Sequence, residues 1–142
     1  MQENLPLSTE SGRFEFQKWP VYTKAVEFCR DANRLCLGLP KEVTRAICDQ
    51  LRRASHSIVL NIAEGSSRFS KNDKVSFLRI ARGSVFECVS ILDLLCAMEH
   101  IEKEKQQKLE SDLAELGRML SGFIRHVDAH NPNVTGNLAR KG

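Results

Sequence analysis

The side chains able to do chemistry are few, and their spacing suits almost none of it. His56, His100, His126 and His130 are the only histidines. His126 and His130 lie four apart and would share a helix face, yet no cysteine or acidic residue stands at ligand spacing and Pro132 follows closely. That pair reads as a solvated helix end, not a zinc site. A carboxylate-bridged di-iron bundle would need two Glu-x-x-His pairs. The residues three after Glu27, Glu64, Glu87 and Glu99 are Arg30, Ser67, Ser90 and Glu102. There is no G-x-S-x-G, P-loop or G-x-G-x-x-G. Ser84 has no histidine that can be placed beside it, and Gly83 before it, mid-helix, reads as a point of close helix–helix approach. The expectation is a chain with no catalytic site, no metal and no cofactor.

Two polar sets remain. Asn61, Glu64, Ser84 and Glu87 fall on helical rows that are otherwise small or apolar, and Arg53 lies on the same side as Glu64. An unpaired buried carboxylate is strongly unfavourable, so these groups should find partners. Arg53, Asn61, Glu64, Ser84 and Glu87 are therefore expected to form a structural polar cluster between the second and third helices. The second set is basic. Arg68, Lys71 and Lys74 crowd one turn, Arg79 and Arg82 lie three apart, and Arg45 and Arg52 lie seven apart. Arg52, Arg68, Lys71, Lys74, Arg79 and Arg82 are the candidate phosphate contacts, as a continuous strip for a nucleic acid. Only Phe69, Phe77 and Phe86 are near, so base stacking is weakly supported.

The elements that must position these groups are helices. Val21, Ala25, Phe28, Ala32, Leu35 and Leu39 repeat at 4, 3, 4, 3, 4 and predict a helix from Pro20 to Gly38. Val43, Ile47, Leu51, Ala54 and Ile58 predict a second from Pro40 to Glu64, stopped by Gly65. Ser70 with Asp73 resembles a capping box and opens a third, to about Met98. That helix has two apolar rows, one from Leu78 to Leu95 and one holding Ile80, Ser84, Glu87, Ile91, Leu94 and Met98. Leu109, Leu113, Leu116, Leu120, Phe123 and Val127 predict a fourth, from Glu102 to Val127. Short links between long helices favour antiparallel neighbours. The predicted fold is all-α, an antiparallel up-down-up-down four-helix bundle over residues 14–128, with a flexible arm at 1–13 and a flexible tail at 129–142.

Five cysteines, an odd number with no C-x-x-C, sit inside apolar helical stretches and read as core hydrophobes of a reducing compartment. No apolar run reaches the roughly 18 residues of a membrane span. The polar, acidic N-terminus lacks the features of a secretory signal. A cytoplasmic protein with no membrane contact is expected. The net charge of +3 is unevenly spread: residues 41–82 hold nine Lys/Arg against four Asp/Glu, and residues 83–117 hold eight acids against three bases. Such halves suit a self-complementary assembly or a basic face for a polyanion.

The motif Gln50-Leu51-Arg52-Arg53-Ala54, Ser57-Ile58, Asn61-Ile62-Ala63-Glu64-Gly65, followed by Phe77-Leu78-x-Ile80-Ala81-x-Gly83-Ser84-x-x-Glu87, resembles the bacterial four-helix-bundle family encoded in intervening sequences of large-subunit ribosomal RNA genes. That family is similar to the accessory variability protein of diversity-generating retroelements. The segment Leu116 to Ile124 resembles the last helix of both, and the likeness spans roughly Phe14 to Val127. The longer N-terminal arm, the polar C-terminal extension and Val43-Thr44, where an acidic-aromatic pair is more usual, depart from the pattern. The resemblance implies a ring-like homopentamer without enzymatic activity. It also implies, in the retroelement branch, binding to a reverse transcriptase and its RNA through a positive surface. The expected function is a non-catalytic nucleic-acid-binding accessory protein, with RNA favoured over DNA. The alternative is a protein-interaction scaffold that recruits a polymerase or other partner without touching nucleic acid itself.

Overall fold

The computed structural model describes residues 14–129; the arm at 1–13 and residues 130–142 of the expected tail lie outside the described residues. A 3-10 turn (Glu15–Lys18) leads into α1 (Pro20–Leu37), α2 (Lys41–Ser66), α3 (Lys71–Ala97) and α4 (Lys103–Ala129). Each helix packs on its neighbour in sequence and α1 closes against α4, which makes the expected four-helix bundle. The pairing of α2 with α3 is the most extensive.

Local chemistry sets the ends. Trp19 is extended and Pro20 takes the first helical position, where its missing N–H is not needed. The Thr44 hydroxyl donates to the Pro40 carbonyl at 2.7 Å in the first turn of α2. Ser70 Oγ accepts from the Asp73 N–H at 3.1 Å and caps α3. Past α3, Glu99 adopts φ 64°, and the N–H groups of Glu99 and His100 donate to the carbonyls of Cys96 and Leu95. This is a Schellman closure with a glutamate where glycine is usual. Trp19 meets Phe123 edge-on at 4.8 Å and ties the start of α1 to the last turns of α4.

The core is a seam of Leu51, Ile58, Ile62, Leu92, Leu95, Leu113, Leu116 and Leu120, all fully buried. Each such side chain stabilises the fold by about 1.5–3 kcal/mol relative to exposure. On α2 the seam runs through Thr44 and Cys48, one residue on from the expected Val43 and Ile47; Val43 is exposed and Ile47 half-buried. Burial pushes the Cys36 and Cys88 thiols up to about 12 and raises that of Cys29. For Cys36 a hydrogen bond with Cys48 acts in the same direction after burial. These thiols stay protonated near neutral pH and serve as apolar packing.

Two glycines exchange the roles the sequence suggests. Gly65 does not stop α2, which continues through Ser66. It is buried where α2 crosses α3, and a Cβ there would lie 3.3 Å from the Lys74 carbonyl oxygen and 3.3 Å from Phe77 Cβ. Gly83, expected at a close helix approach, is exposed, and a Cβ added to it would meet nothing within 4 Å. Gly83→Ala should therefore stabilise the folded chain by up to about 1 kcal/mol through helix propensity, read as a higher urea midpoint. A lower midpoint would mean that this face is covered in the working assembly.

Candidate nucleic-acid interface

The expected polar cluster divides. Ser84 Oγ donates to Ser57 Oγ at 2.8 Å, and Asn61 Nδ2 donates to the Ser57 carbonyl at 2.8 Å and to Ser57 Oγ at 3.0 Å. This small network joins α2 to α3 and is worth about 0.5–1.5 kcal/mol per bond. Ser57 belongs to the same small polar row of α2 as Asn61. Arg53, Glu64 and Glu87 remain exposed, so the burial expected of them does not occur within one chain. Desolvating three charges would outweigh what pairing returns, whereas a hydroxyl fits the seam. Glu64 instead holds Arg68, which lies just past the end of α2. The Ser57–Ser84 register places Arg53 and Glu87 at one level of the α2/α3 face, with no ion pair between them. Along this face Val43, Leu60, Ile80, Leu94 and Met98 are about half or more exposed. The second apolar row of α3 is thus buried only at Ser84 and Ile91.

The six candidate phosphate contacts do not form one strip. Arg52 Nε donates to Asn33 Oδ1 at 3.2 Å, and its guanidinium lies 3.4 Å from Asp49, so it faces α1. Arg68 pairs with Glu64 and lies 4.7 Å from the centre of the Phe77 ring. Lys71 is largely covered and approaches Asp128 at 3.7 Å. Lys74 Nζ donates to the Ser66 carbonyl at 3.4 Å. Arg79 and Arg82 have no acidic partner among the described residues, and Arg82 rests 5.7 Å from the centre of the Phe86 ring.

Sequence reasoning missed two residues that the fold brings to Arg82. Arg118 and Arg125, seven apart on α4, join Arg82 around a groove of about 520 Å³ between α3 and α4. Ala114, Gly117 and Ser121 keep the α4 wall low, and Val85, Val89 and Leu113 form an apolar floor. Among the described residues Glu110 is the one acid lining it, and Phe86, 60% exposed, lines it too. The signal was present as a small-residue row at 114, 117 and 121 beside arginines at 118 and 125. Arg79 falls on the same side of α3 as Arg82 and Phe86 by its spacing of three and seven.

The chain is thus a four-helix bundle with a small Ser–Asn network between α2 and α3, an exposed apolar face and a separate arginine-lined groove. Residues 17–122 match the family described as 23S rRNA-intervening sequence protein, and the chain belongs to that family. It is similar to a protein of unknown function from the S23 ribosomal protein family of Bacteroides thetaiotaomicron, solved at 1.70 Å. The two share 26% identity over 74% of this chain and 95% of the other, with a TM-score of 0.66. No curated protein matches the chain. No helix among the described residues is long and apolar enough to cross a membrane.

Proposed function

We propose that the chain is a non-catalytic nucleic-acid-binding accessory protein of the reducing cytoplasm, acting as a ring-forming homopentamer in a reverse-transcriptase or other RNA-associated complex. The observation that carries this reading is the gathering of Arg82, Arg118 and Arg125 around one groove, with Arg79 one turn before Arg82 on α3, none of them ion-paired to an acidic side chain among the described residues. Lys24, Arg52, Arg68, Lys71 and Lys108, by contrast, sit against carboxylates. Arginines left free on one concave edge suit phosphates. Membership of the family named for intervening sequences of 23S rRNA supports RNA as the polyanion. The test is fluorescence anisotropy with structured RNA and duplex DNA across a salt series. Affinity that falls steeply with salt supports the reading, and absence of binding at low salt overturns it in favour of a protein scaffold.

The ring rests on the α2/α3 face. Its exposed apolar residues, with Arg53 and Glu87 at mid-height, suit a contact with a second copy. Ile80→Lys with Leu94→Lys should reduce a pentameric mass, read by light scattering, to that of one chain while leaving helicity intact, because both side chains are half exposed. A monomeric wild-type protein would rule out the ring.

A further inference from the structure

We infer that the α3/α4 groove receives an unpaired nucleotide of a single strand, with its base against Phe86 and Arg82 and its flanking phosphates on Arg118 and Arg125. The inference rests on the nucleic-acid reading above and deepens it by naming the form of nucleic acid and the aromatic contact.

Three observations carry it. First, the groove lies between two packed helices and holds about 520 Å³, a volume that suits one or two small planar groups. Helices in contact lie about 8–10 Å apart. The groove is therefore far too narrow for a duplex, which can touch only its arginine rim. Second, its lining is divided by chemistry. Val85, Val89 and Leu113 make the floor apolar, while Arg118 and Arg125 are exposed on the rim. A nucleotide is divided in the same way, into a flat base and a charged phosphate. Third, Phe86 is 60% exposed at this groove instead of packed into the core, and the Arg82 guanidinium lies over its ring, 5.7 Å from the centre. Unpaired bases stack on such aromatic and guanidinium surfaces, whatever their sequence. An acidic helix from a protein partner would satisfy the arginines but would not need a stacking ring.

The rim also sets the direction of the strand. Arg118 and Arg125 are two turns apart on α4, about 10 Å along its axis. A strand lying along the groove meets them in succession, with the base between them turned toward α3.

The experiment compares a labelled single-stranded RNA, a hairpin RNA of related composition and the corresponding duplex, by anisotropy, on the full chain. Wild-type protein should prefer the single strand. Phe86→Ala should weaken single-strand binding by about tenfold or more, with little change for the duplex and an unchanged salt slope. Phe86→Tyr should retain the preference. In Phe86→Trp, single-strand binding should quench the added indole beyond any change of Trp19 seen in the wild type. Equal single-strand binding by Phe86→Ala, or no quenching in Phe86→Trp, overturns the inference while leaving the polyanion reading intact. Wild-type protein that binds none of the three overturns both.

Discussion

Replacing Leu116 with alanine is expected to lower the unfolding free energy by about 2–5 kcal/mol, the usual range for a buried leucine whose site cannot collapse. Leu116 is fully buried in the α4 seam, between Leu113 and Leu120, which are also fully buried. Those neighbours hold α4 at its present distance, and a Cβ at Gly117 would already lie in ordinary contact with Val85, at 3.8 Å. The helix has little room to move inward, so most of the deleted volume remains as a cavity. A domain of this kind has about 5–15 kcal/mol of net stability. The loss is therefore a large share of the whole. Urea unfolding at fixed protein concentration should show a lower midpoint with an unchanged slope. Leu94→Ala, on a residue half exposed in the single chain, should cost far less. A loss of similar size at both positions would show that the α2/α3 face is as buried as the core, and would support the ring by an independent route.

The helices were legible because the apolar residues recur at three and four over long stretches, and this periodicity survives errors at individual positions. The helix starts at Pro20 and after Ser70 were legible for the same local reason: a first-turn proline and a capping serine act within one turn. What the periodicity could not supply was the depth of each row. Arg53, Glu64 and Glu87 share helical rows with buried residues, yet the rotation of α2 against α3 turns Ser57, Asn61 and Ser84 inward and leaves the charges at the edge. The roles of Gly65 and Gly83 depend on where helices cross, which is a property of two elements and invisible in one. The turn at Glu99 was hidden because a glutamate occupies the left-handed position that glycine usually marks. The groove was hidden because its arginines come from segments 36 residues apart, Arg82 and Arg118, and because charge counted along the chain assigns Arg118 to a different span from Arg82.

The largest effect on binding is expected from reversing the groove arginines together. In the triple variant Arg82→Glu, Arg118→Glu, Arg125→Glu, affinity for RNA should fall by more than about tenfold at physiological salt. The dependence of log affinity on log salt should become shallower by about 1.4 for a single strand, which is the two phosphate contacts of Arg118 and Arg125 at roughly 0.7 each. The loss should be uniform across sequences, because phosphate contacts position a nucleic acid without specifying its bases. Helicity should be unchanged, since Arg118 and Arg125 are exposed and none of the three arginines is ion-paired among the described residues. Arg52→Glu is the informative contrast. It carries the same kind of charge reversal, but Arg52 is engaged by Asn33 and Asp49 on the α1 side, so its reversal should change RNA binding little and stability slightly. If instead Arg52→Glu abolishes binding and the triple variant does not, the interface lies on the α1/α2 side. The same outcome would place the groove outside the nucleic-acid surface, because net charge alone cannot favour one arginine over three.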